Sequence, residues 1–396
     1  MKKTIISLLV VFSLTGCSDY KELTNLGIAI GFGVDYLEAE QEYELILQVV
    51  NPSGMSPTMG ASGSSLPVIS IVGRGRTITE AARNISKKFS REITYSQIAL
   101  LVIGENLARK QGLNFIFDAL ERDSKVRVNI PVVLARDSSV FDVMNTIPSM
   151  DKTPAVSIAN KLASTSGMLG ENSNMHIYEV IEALTSKGRE PVLNGVTVKK
   201  RSGTGATAQN NETLKNDYQY LNGMGIFKKG KLIGWLDKQD ARSVQIVRNE
   251  LKETNLSIPC LNSTDGNYIS AVMTRSHADI KVINTNRRPL ITIKVSMKGR
   301  IDEMMCNPNI KKGTVIEKIE RSAEKLVMKE IRGGIKKAQQ KKTDVYGFGD
   351  TLHRQNPKDW KKLKNNWNDV FAAADIHVKS EVKFRNTGMR IEAYPY

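Results

Sequence analysis

Residues 268–283 read YISAVMTRSHADIKVI, and residues 290–301 read LITIKVSMKGRI. Apolar and polar residues alternate in both stretches, which is the pattern of strands with one buried and one solvent-facing side. A connection of six residues, 284–289, ends in proline and joins the two stretches as neighbours. Together they predict an antiparallel sheet with one wet face in the C-terminal half of the chain.

A long helix is predicted after these strands, from about Thr314 to Lys342, because apolar residues recur there at helical spacing. Lysines fill most other positions: from Lys311 to Lys342 there are 11 Lys and Arg against 4 Asp and Glu, a surplus of +7. The surplus indicates either a solvated face or a face near an anionic surface. Gly333 and Gly334 are expected to weaken or bend the helix, since an interior glycine costs about 1 kcal/mol.

The N-terminal half has a different pattern, in which apolar strands alternate with amphipathic helices. Strand-like runs occur at 68–72, 97–103 and 126–135, and helical spacing of apolar residues lies between them. This β-α order predicts a mixed α/β region. The predicted fold class is therefore α+β and multidomain, with the N-terminal mixed α/β region followed by an antiparallel sheet domain with a long helix.

The 396-residue chain is expected to contain several domains, because a single core of that size would be unusual. A Gly- and Ser-rich stretch separates the two halves and is interpreted as a linker or an exposed hairpin tip. The predicted division is a leader at 1–16, the α/β region at 17–200, the linker at 201–217 and the C-terminal domain at 218–396, with an inserted subdomain at 67–190 left open.

The first residues have the order of features that a bacterial lipoprotein leader has. A basic start, Lys2-Lys3, precedes an apolar run at 5–14, which is half the roughly 20 residues that a membrane-spanning helix needs. The run ends in Leu14-Thr15-Gly16-Cys17, which resembles a lipobox. Cleavage before Cys17 removes two lysines and lowers the formal charge from +16 to +14. The resemblance implies a signal peptide and a lipid anchor, palmitate included, on Cys17.

The sequence contains no recognisable catalytic, cofactor or metal site, and the chain is expected not to be an enzyme. The four histidines lack the spacing of metal ligands, and nucleophile-elbow and phosphate-loop motifs are absent. Gly31-Phe32-Gly33 and Gly73-Arg74-Gly75 do not complete a dinucleotide fingerprint and are interpreted as turns or places of close backbone approach. Cys260 and Cys306 are expected to be buried free thiols, although an oxidising compartment would permit a bridge.

Several segments together resemble the Ger(x)C lipoproteins, the C subunits of spore germinant receptors. The most specific is DVYGFG at 344–349, which continues through Pro357, Trp360 and Trp367 to NTGM at 386–389. Further cues are CSDYKEL at 17–23, QVVNP at 48–52 and shorter matches within 75–83 and 104–109. The chain departs from the family at Ser18, where tryptophan is usual, and at Gln97, where histidine is common.

The DVYGFG segment and the residues after it are interpreted as structural or as an interface. Gly347 and Gly349 permit a turn after the long helix, and Pro357 suits the first turn of the next helix. Trp360, Leu363 and Trp367 are spaced i, i+3 and i+7, which would place them on one helical face packed onto the sheet.

The resemblance implies a non-catalytic subunit on the outer face of the spore inner membrane. Its partners would be the membrane, through the lipid on Cys17, and the A and B membrane subunits of a nutrient germinant receptor, with no nucleic acid. In that role the chain would be needed for receptor assembly and for the germination response. The alternative is the substrate-binding lipoprotein of a transporter, although the sequence shows no pair of similar α/β lobes around a hinge.

Overall fold

In the N-terminal half, the strands are apolar on both sides, and they form a layered α/β arrangement with the helices. The computed structural model describes residues 22, 25–52, 66–123, 126–148, 151, 153–200, 217–260, 266–285, 288–306 and 313–386, and within them the strands form two sheets. Helices accompany both sheets, so the fold combines helices and sheets as the sequence predicted.

The first sheet contains nine of the described strands. They are β1 (Leu26–Leu37), β2 (Glu42–Val50), β3 (Val68–Gly75), β4 (Glu92–Thr94), β5 (Leu100–Gly104), β6 (Val132–Ala135), β7 (Val192–Lys199), β8 (Tyr218–Lys228) and β9 (Lys231–Leu236). Their order is β3-β2-β1-β5-β6-β7-β8-β9, with β4 also paired to β1. The central strands β1, β5, β6 and β7 are parallel, while β2, β3, β8 and β9 pair antiparallel with their neighbours.

Helices cover both faces of this sheet, and β5 shows why. Leu100 and Val102 point into one hydrophobic core, whereas Leu101 and Ile103 point into the other. One face is covered by α1 (Ile78–Ile85), α2 (Glu105–Lys110), α3 (Asn114–Arg122) and α6 (Ile177–Thr185), and the other by α4 (Val140–Asn145) and α5 (Pro154–Met168).

The glycines of the first sheet allow these helices to approach closely. Gly31 and Gly33 lie within β1, so the turn predicted for them is wrong and the alternative of close backbone approach is right. A Cβ on Gly31 would lie 2.9 Å from the Cβ of Ala155 in α5. Gly73 lies in β3, where a Cβ would overlap the carbonyl oxygen of Ala81 in α1.

β8 and β9 form a hairpin with a turn at Lys229-Gly230, where φ is positive at both residues (51° and 78°), and the hairpin belongs to the first sheet. β8 pairs with β7, so the first sheet continues to Leu236. The first sheet therefore has strands on both sides of the predicted linker at 201–217, of which 201–216 lie outside the described residues. Within residues 67–190, β3 and β5 pair with β2 and β1. The division into domains, with the open question of a subdomain at 67–190, stays a prediction.

The second sheet is formed by β10 (Thr254–Pro259), β11 (Tyr268–Ile283), β12 (Leu290–Met304) and β13 (Asp375–Asn386), in that order. The first three strands are antiparallel, and along them buried and exposed side chains largely alternate, which confirms the predicted wet face. Cys260 and Cys306 follow β10 and β12 at the same end of the sheet and form a disulfide. The expectation of free thiols is therefore wrong.

The connection from β12 to β13 is parallel and consequently needs a crossover, which the helices provide. They are α8 (Gly313–Gln340), α9 (Phe348–Gln355), α10 (Pro357–Leu363) and α11 (Trp367–Ala372), while α7 (Gln239–Val247) precedes the second sheet. The long helix α8 agrees with the predicted range, 314–342, to within two residues at each end, and it runs without interruption through Gly333 and Gly334. Its Glu320 and Glu324 accept hydrogen bonds from the backbone N–H groups of Phe384 and Val382, which covers the edge strand β13.

Candidate functional site

The candidate site is the DVYGFG segment with the residues around it. Cys17 lies outside the described residues, so the structure places only Gly347, Gly349, Pro357, Trp360 and Trp367 among the selected positions. After α8 ends, the chain turns through Lys342, whose φ is 52°. The segment then runs through the interior, where Thr343 donates a hydrogen bond from its hydroxyl to the carbonyl of Phe227 in β8.

Asp344 is the centre of this segment and is fully buried. Its Oδ1 accepts hydrogen bonds from the backbone N–H groups of Tyr346 (3.1 Å) and Gly347 (2.9 Å). Its Oδ2 accepts from the N–H of Gly349 (2.9 Å) and from Nε1 of Trp367 (2.8 Å). One carboxylate therefore fixes the turn and attaches it to α11, 23 residues farther along the chain.

Burial raises the pKa of Asp344 from 3.8 to about 6, because the charged form loses its hydration. The hydrogen bonds from Trp367 and the backbone act in the opposite direction, since they stabilise the carboxylate. With both oxygens occupied by N–H donors, the group acts as an internal acceptor that holds the turn together.

The two glycines of the segment meet separate requirements. Gly347 has a φ of 79°, the left-handed conformation that glycine adopts without strain, and it is the N-cap of α9. Gly349 has no such φ, but a Cβ there would lie 2.6 Å from both the Cα of Gly188 and Nε1 of Trp367. Its lack of a side chain therefore lets the segment contact the chain between α6 and β7.

This contact joins the DVYGFG segment to residues 186–190 of the first sheet's helical layer. The N–H of Glu190 donates to the carbonyl of Asp344 (2.9 Å), and the N–H of Asp350 donates to the carbonyl of Gly188 (3.3 Å). Ser186 donates from its hydroxyl to Oδ1 of Asp350 (2.8 Å). We call this set of contacts the junction, because it connects the helices of the C-terminal half to the first sheet.

Glu190 strengthens the junction from the other side. Its carboxylate accepts hydrogen bonds from Nδ2 of Asn368 (2.9 Å) in α11 and from the N–H of Lys229 in the β8–β9 turn (3.1 Å). Burial raises the pKa of Glu190, and these hydrogen bonds oppose that increase. Sequence reasoning missed Ser186, Glu190 and Asn368, because no local pattern marks a polar residue whose partner is more than 150 positions away.

Trp360 and Trp367 are both buried, and their rings meet edge to face with centroids 5.6 Å apart. They do not share one helix as predicted, because α10 ends at Leu363 and α11 begins at Trp367. Pro357 occupies the first turn of α10, as predicted, and the preceding Asn356 caps it by accepting from the N–H of Asp359 (3.2 Å).

Among the described residues, several clefts lie near this segment and along the first sheet. One, of about 680 Å³, lies between α5 and β8 and is lined by Lys161, Gln219 and Arg136, among others. Two smaller ones, of about 450 and 500 Å³, flank the junction. The described side chains include no group of three or more His, Cys, Asp or Glu placed to hold a metal ion. Within the same ranges, no helix is both long and apolar enough to cross a membrane.

Two family descriptions match successive parts of the chain. "Spore germination protein N-terminal domain" matches residues 19–198, and "Spore germination B3/ GerAC like, C-terminal" matches residues 222–388. The second match contains the DVYGFG segment, Trp360 and Trp367, and the first contains the residues of the junction that precede β7.

Relatives in Bacillus subtilis (strain 168) match along nearly the whole chain. "Spore germination protein KC" is 31% identical over 394 residues, which cover 98% of this chain and 95% of that protein. "Spore germination protein B3" is 25% identical and covers 96% of each chain. Among solved structures, "Crystal Structure of the GerBC protein" matches with a TM-score of 0.53 and 20% identity over 90% of this chain and 97% of that one. This last likeness supports the fold.

Proposed function

We propose a function from the premise that the chain belongs to the GerAC-like family of spore germination proteins, whose members are receptor C subunits. In this proposal it is the membrane-tethered, non-catalytic C subunit of a nutrient germinant receptor, needed for assembly and for the germination response. The observation that carries the proposal is the 31% identity to a spore germination protein over almost the full length of both chains.

The geometry of the junction supports a structural role for the DVYGFG segment. Asp344, the one acid of the segment, has both oxygens occupied by N–H donors of the protein. The aromatic rings around it pack against one another, as Tyr346 does on Phe348 with centroids 5.4 Å apart. Such a centre suits a scaffold that holds two halves of a subunit in one orientation for contact with partner subunits.

The tether is proposed at Cys17, on the outer face of the spore inner membrane. Its support is the order of the leader: a basic start, a short apolar run and Leu14-Thr15-Gly16-Cys17. Lipid chains on one cysteine, assisted by basic residues, are sufficient to hold a folded domain at a bilayer. The partners in this proposal are the A and B membrane subunits of the receptor.

The tether is tested by comparing Cys17→Ala with the neighbouring Ser18→Ala in sporulating cells. We expect the Cys17→Ala chain to leave membranes that have been washed at high salt, while the Ser18→Ala chain remains. The comparison is repeated in cells without the two partner subunits, so that retention by protein contacts is separated from retention by lipid. Retention of the Cys17→Ala chain in both backgrounds would exclude Cys17 as the anchor.

Assembly is tested by purifying the tethered chain from detergent extracts of spore membranes. The A and B subunits should copurify with it, and they should fail to appear together when the chain is deleted. If A and B assemble normally in its absence and spores germinate at the usual rate, the chain is not a required receptor subunit.

The alternative function, substrate binding for a transporter, has the 680 Å³ cleft in its favour, since clefts of this size hold small molecules. The architecture does not favour it, because the first sheet is one continuous sheet and not two similar lobes around a hinge. Calorimetric titration of free amino acids into the unlipidated chain separates the two functions: tight binding of one of them would favour the transporter.

A further inference from the structure

The exposed side of α8 carries an unbroken row of positive charges. At about 100° per residue, six cations fall within an arc of about 80° and extend over about 27 Å of the helix. They are Lys318, Arg321, Lys325, Lys329, Arg332 and Lys336, and all six are exposed. We call this row the basic stripe.

The acids of α8 do not neutralise the basic stripe, because three of the four face the protein interior. Glu320 and Glu324 accept hydrogen bonds from β13. Glu330 forms a buried two-bond ion pair with Arg242 of α7 (2.7 and 3.0 Å). Only Glu317 is exposed, and it lies outside the arc, 4.0 Å from Arg321. Three of the four acids of the helix therefore face inward, while the six cations of the stripe face outward.

Of the basic stripe, Arg332 donates to the carbonyl of Val378 in β13 (3.4 Å) and Arg321 lies near Glu317, but the four lysines have no such contacts. Lys318, Lys325, Lys329 and Lys336 form no ion pair or side-chain hydrogen bond with any described residue. Neighbouring members are three or four residues apart, and like charges at that spacing oppose helix formation. The stripe thus weakens the helix slightly, and an external anionic partner would reverse that effect.

We propose that the basic stripe docks on an anionic phospholipid surface. The proposal rests on the proposed function in one respect, since a lipid on Cys17 would keep α8 within reach of a bilayer. The arc contains no apolar side chain, whereas a protein interface normally has an apolar or aromatic centre. A straight row of flexible lysines suits an array of headgroup phosphates, which attract each Lys or Arg through charge without specific geometry.

The test uses the mature chain with Cys17→Ser, which has no lipid, and vesicles of phosphatidylglycerol and phosphatidylcholine. The stripe variant replaces Lys318, Lys325, Lys329 and Lys336 by glutamine. The control variant makes the same charge change at four exposed lysines elsewhere: Lys87, Lys187, Lys231 and Lys252. A third variant replaces the four stripe lysines by arginine and keeps the charge. Sedimentation with vesicles gives the bound fraction at low and high salt.

We expect the parent chain to bind at low salt, to be released at high salt and to ignore vesicles of pure phosphatidylcholine. The stripe variant should bind at least about tenfold more weakly, whereas the control and arginine variants stay within about threefold of the parent. The stripe variant should also melt no lower than the parent, because like-charge repulsion is relieved. This result would show that weaker binding does not come from unfolding.

The proposal is overturned if the parent chain does not bind anionic vesicles at low salt, or if the stripe and control variants lose binding equally. After the first result, an acidic protein would be the partner to seek. The second result would mean that binding to vesicles depends on the net charge of the chain and not on the position of the stripe. Neither result bears on the tether, because Cys17→Ser removes the lipid from every chain compared. A failed tether in the Cys17→Ala experiment likewise leaves the vesicle result intact.

Discussion

Two adjacent glycines in α8 should respond in opposite directions to the same substitution. A Cβ on Gly333 meets only Oδ1 of Asp240, at 3.4 Å. A Cβ on Gly334 would overlap Oγ of Ser243 and lie 2.5 Å from the hydroxyl oxygen of Tyr346. At Gly334, α8 thus contacts both α7 and the DVYGFG segment, whereas Gly333 has room for a methyl group.

The sizes of the two effects follow from these contacts. Alanine is favoured over glycine in a helix interior by about 1 kcal/mol, so Gly333→Ala should stabilise the chain by up to that amount. Gly334→Ala has the same helical gain, but it breaks the buried 2.8 Å hydrogen bond between Ser243 and Tyr346. Leaving a buried hydroxyl unpaired costs about 1–3 kcal/mol, and overpacking costs about 1–3 kcal/mol more. The expected net loss for Gly334→Ala is therefore about 1–5 kcal/mol.

The assay is urea unfolding of the mature chain with Cys17→Ser, carrying either substitution. The midpoint should rise for Gly333→Ala and fall for Gly334→Ala, with similar slopes, so that the two unfolding free energies differ by about 2–6 kcal/mol. If Gly334→Ala proves as stable as Gly333→Ala, the close contact between α8 and Ser243 is not a constraint of the fold, and the reasoning fails.

Three further changes test the junction and the second sheet. Trp360→Ala should lower the unfolding free energy by about 3–5 kcal/mol as a large-to-small core change, and an unchanged melt would place this ring at an interface instead. Burial raises the folded pKa of Asp344 to about 6, above its unfolded value, so protonation as the pH falls through 6 stabilises the folded state. From pH 7 to pH 5, the unfolding free energy of wild type should therefore rise by about 1 kcal/mol relative to that of Asp344→Asn. A constant difference between the two in urea unfolding would contradict the raised pKa. Replacing both Cys260 and Cys306 by alanine removes a disulfide with a sequence separation of 46 and should lower the unfolding free energy by up to about 4 kcal/mol. The double variant is compared with wild type with and without reductant, and reductant should not affect the double variant.

The second sheet and α8 were predictable because their periodicity is long and regular. β11 and β12 alternate over 16 and 15 residues, and α8 repeats its apolar stripe over 28 residues. Patterns of that length outweigh local exceptions such as Gly333 and Gly334. The glycines do not break α8 because close contact with α7 stabilises the helix there, and such contact has no signature within the helix itself.

The strand β1 was not predicted from the sequence, because glycines interrupt its pattern. Glycine normally disfavours a strand, and β1 contains Gly27, Gly31 and Gly33. The lack of a side chain at Gly31 and Gly33 is required by helices more than 100 residues farther along the chain, as the contact of Gly31 with Ala155 shows. A local pattern records that glycines are present, but it cannot record which distant helix needs the space.

The disulfide could have been predicted from the sequence if β10 had been recognised. In the antiparallel register Pro259 lies opposite Tyr268, and the next residue, Ile269, lies opposite Met304. Cys260 and Cys306 follow Pro259 and Met304, so strand pairing alone brings both to the same end of the sheet. β10 has only six residues, which alternate between buried and exposed, and so short a pattern is easily overlooked beside its longer neighbours.

The charges of α8 show how one helix can combine a structural pattern and a surface pattern. Glu330 is held by Arg242, Glu320 and Glu324 by β13, and Gly334 by its contact with Ser243. These contacts fix the rotation of the helix, and that rotation turns the basic stripe outward. Substitution of an inward acid should therefore weaken folding, since each has an internal partner that would be left unsatisfied. Substitution of a stripe lysine removes only a solvent-facing charge, so its effect should be seen in binding and not in stability.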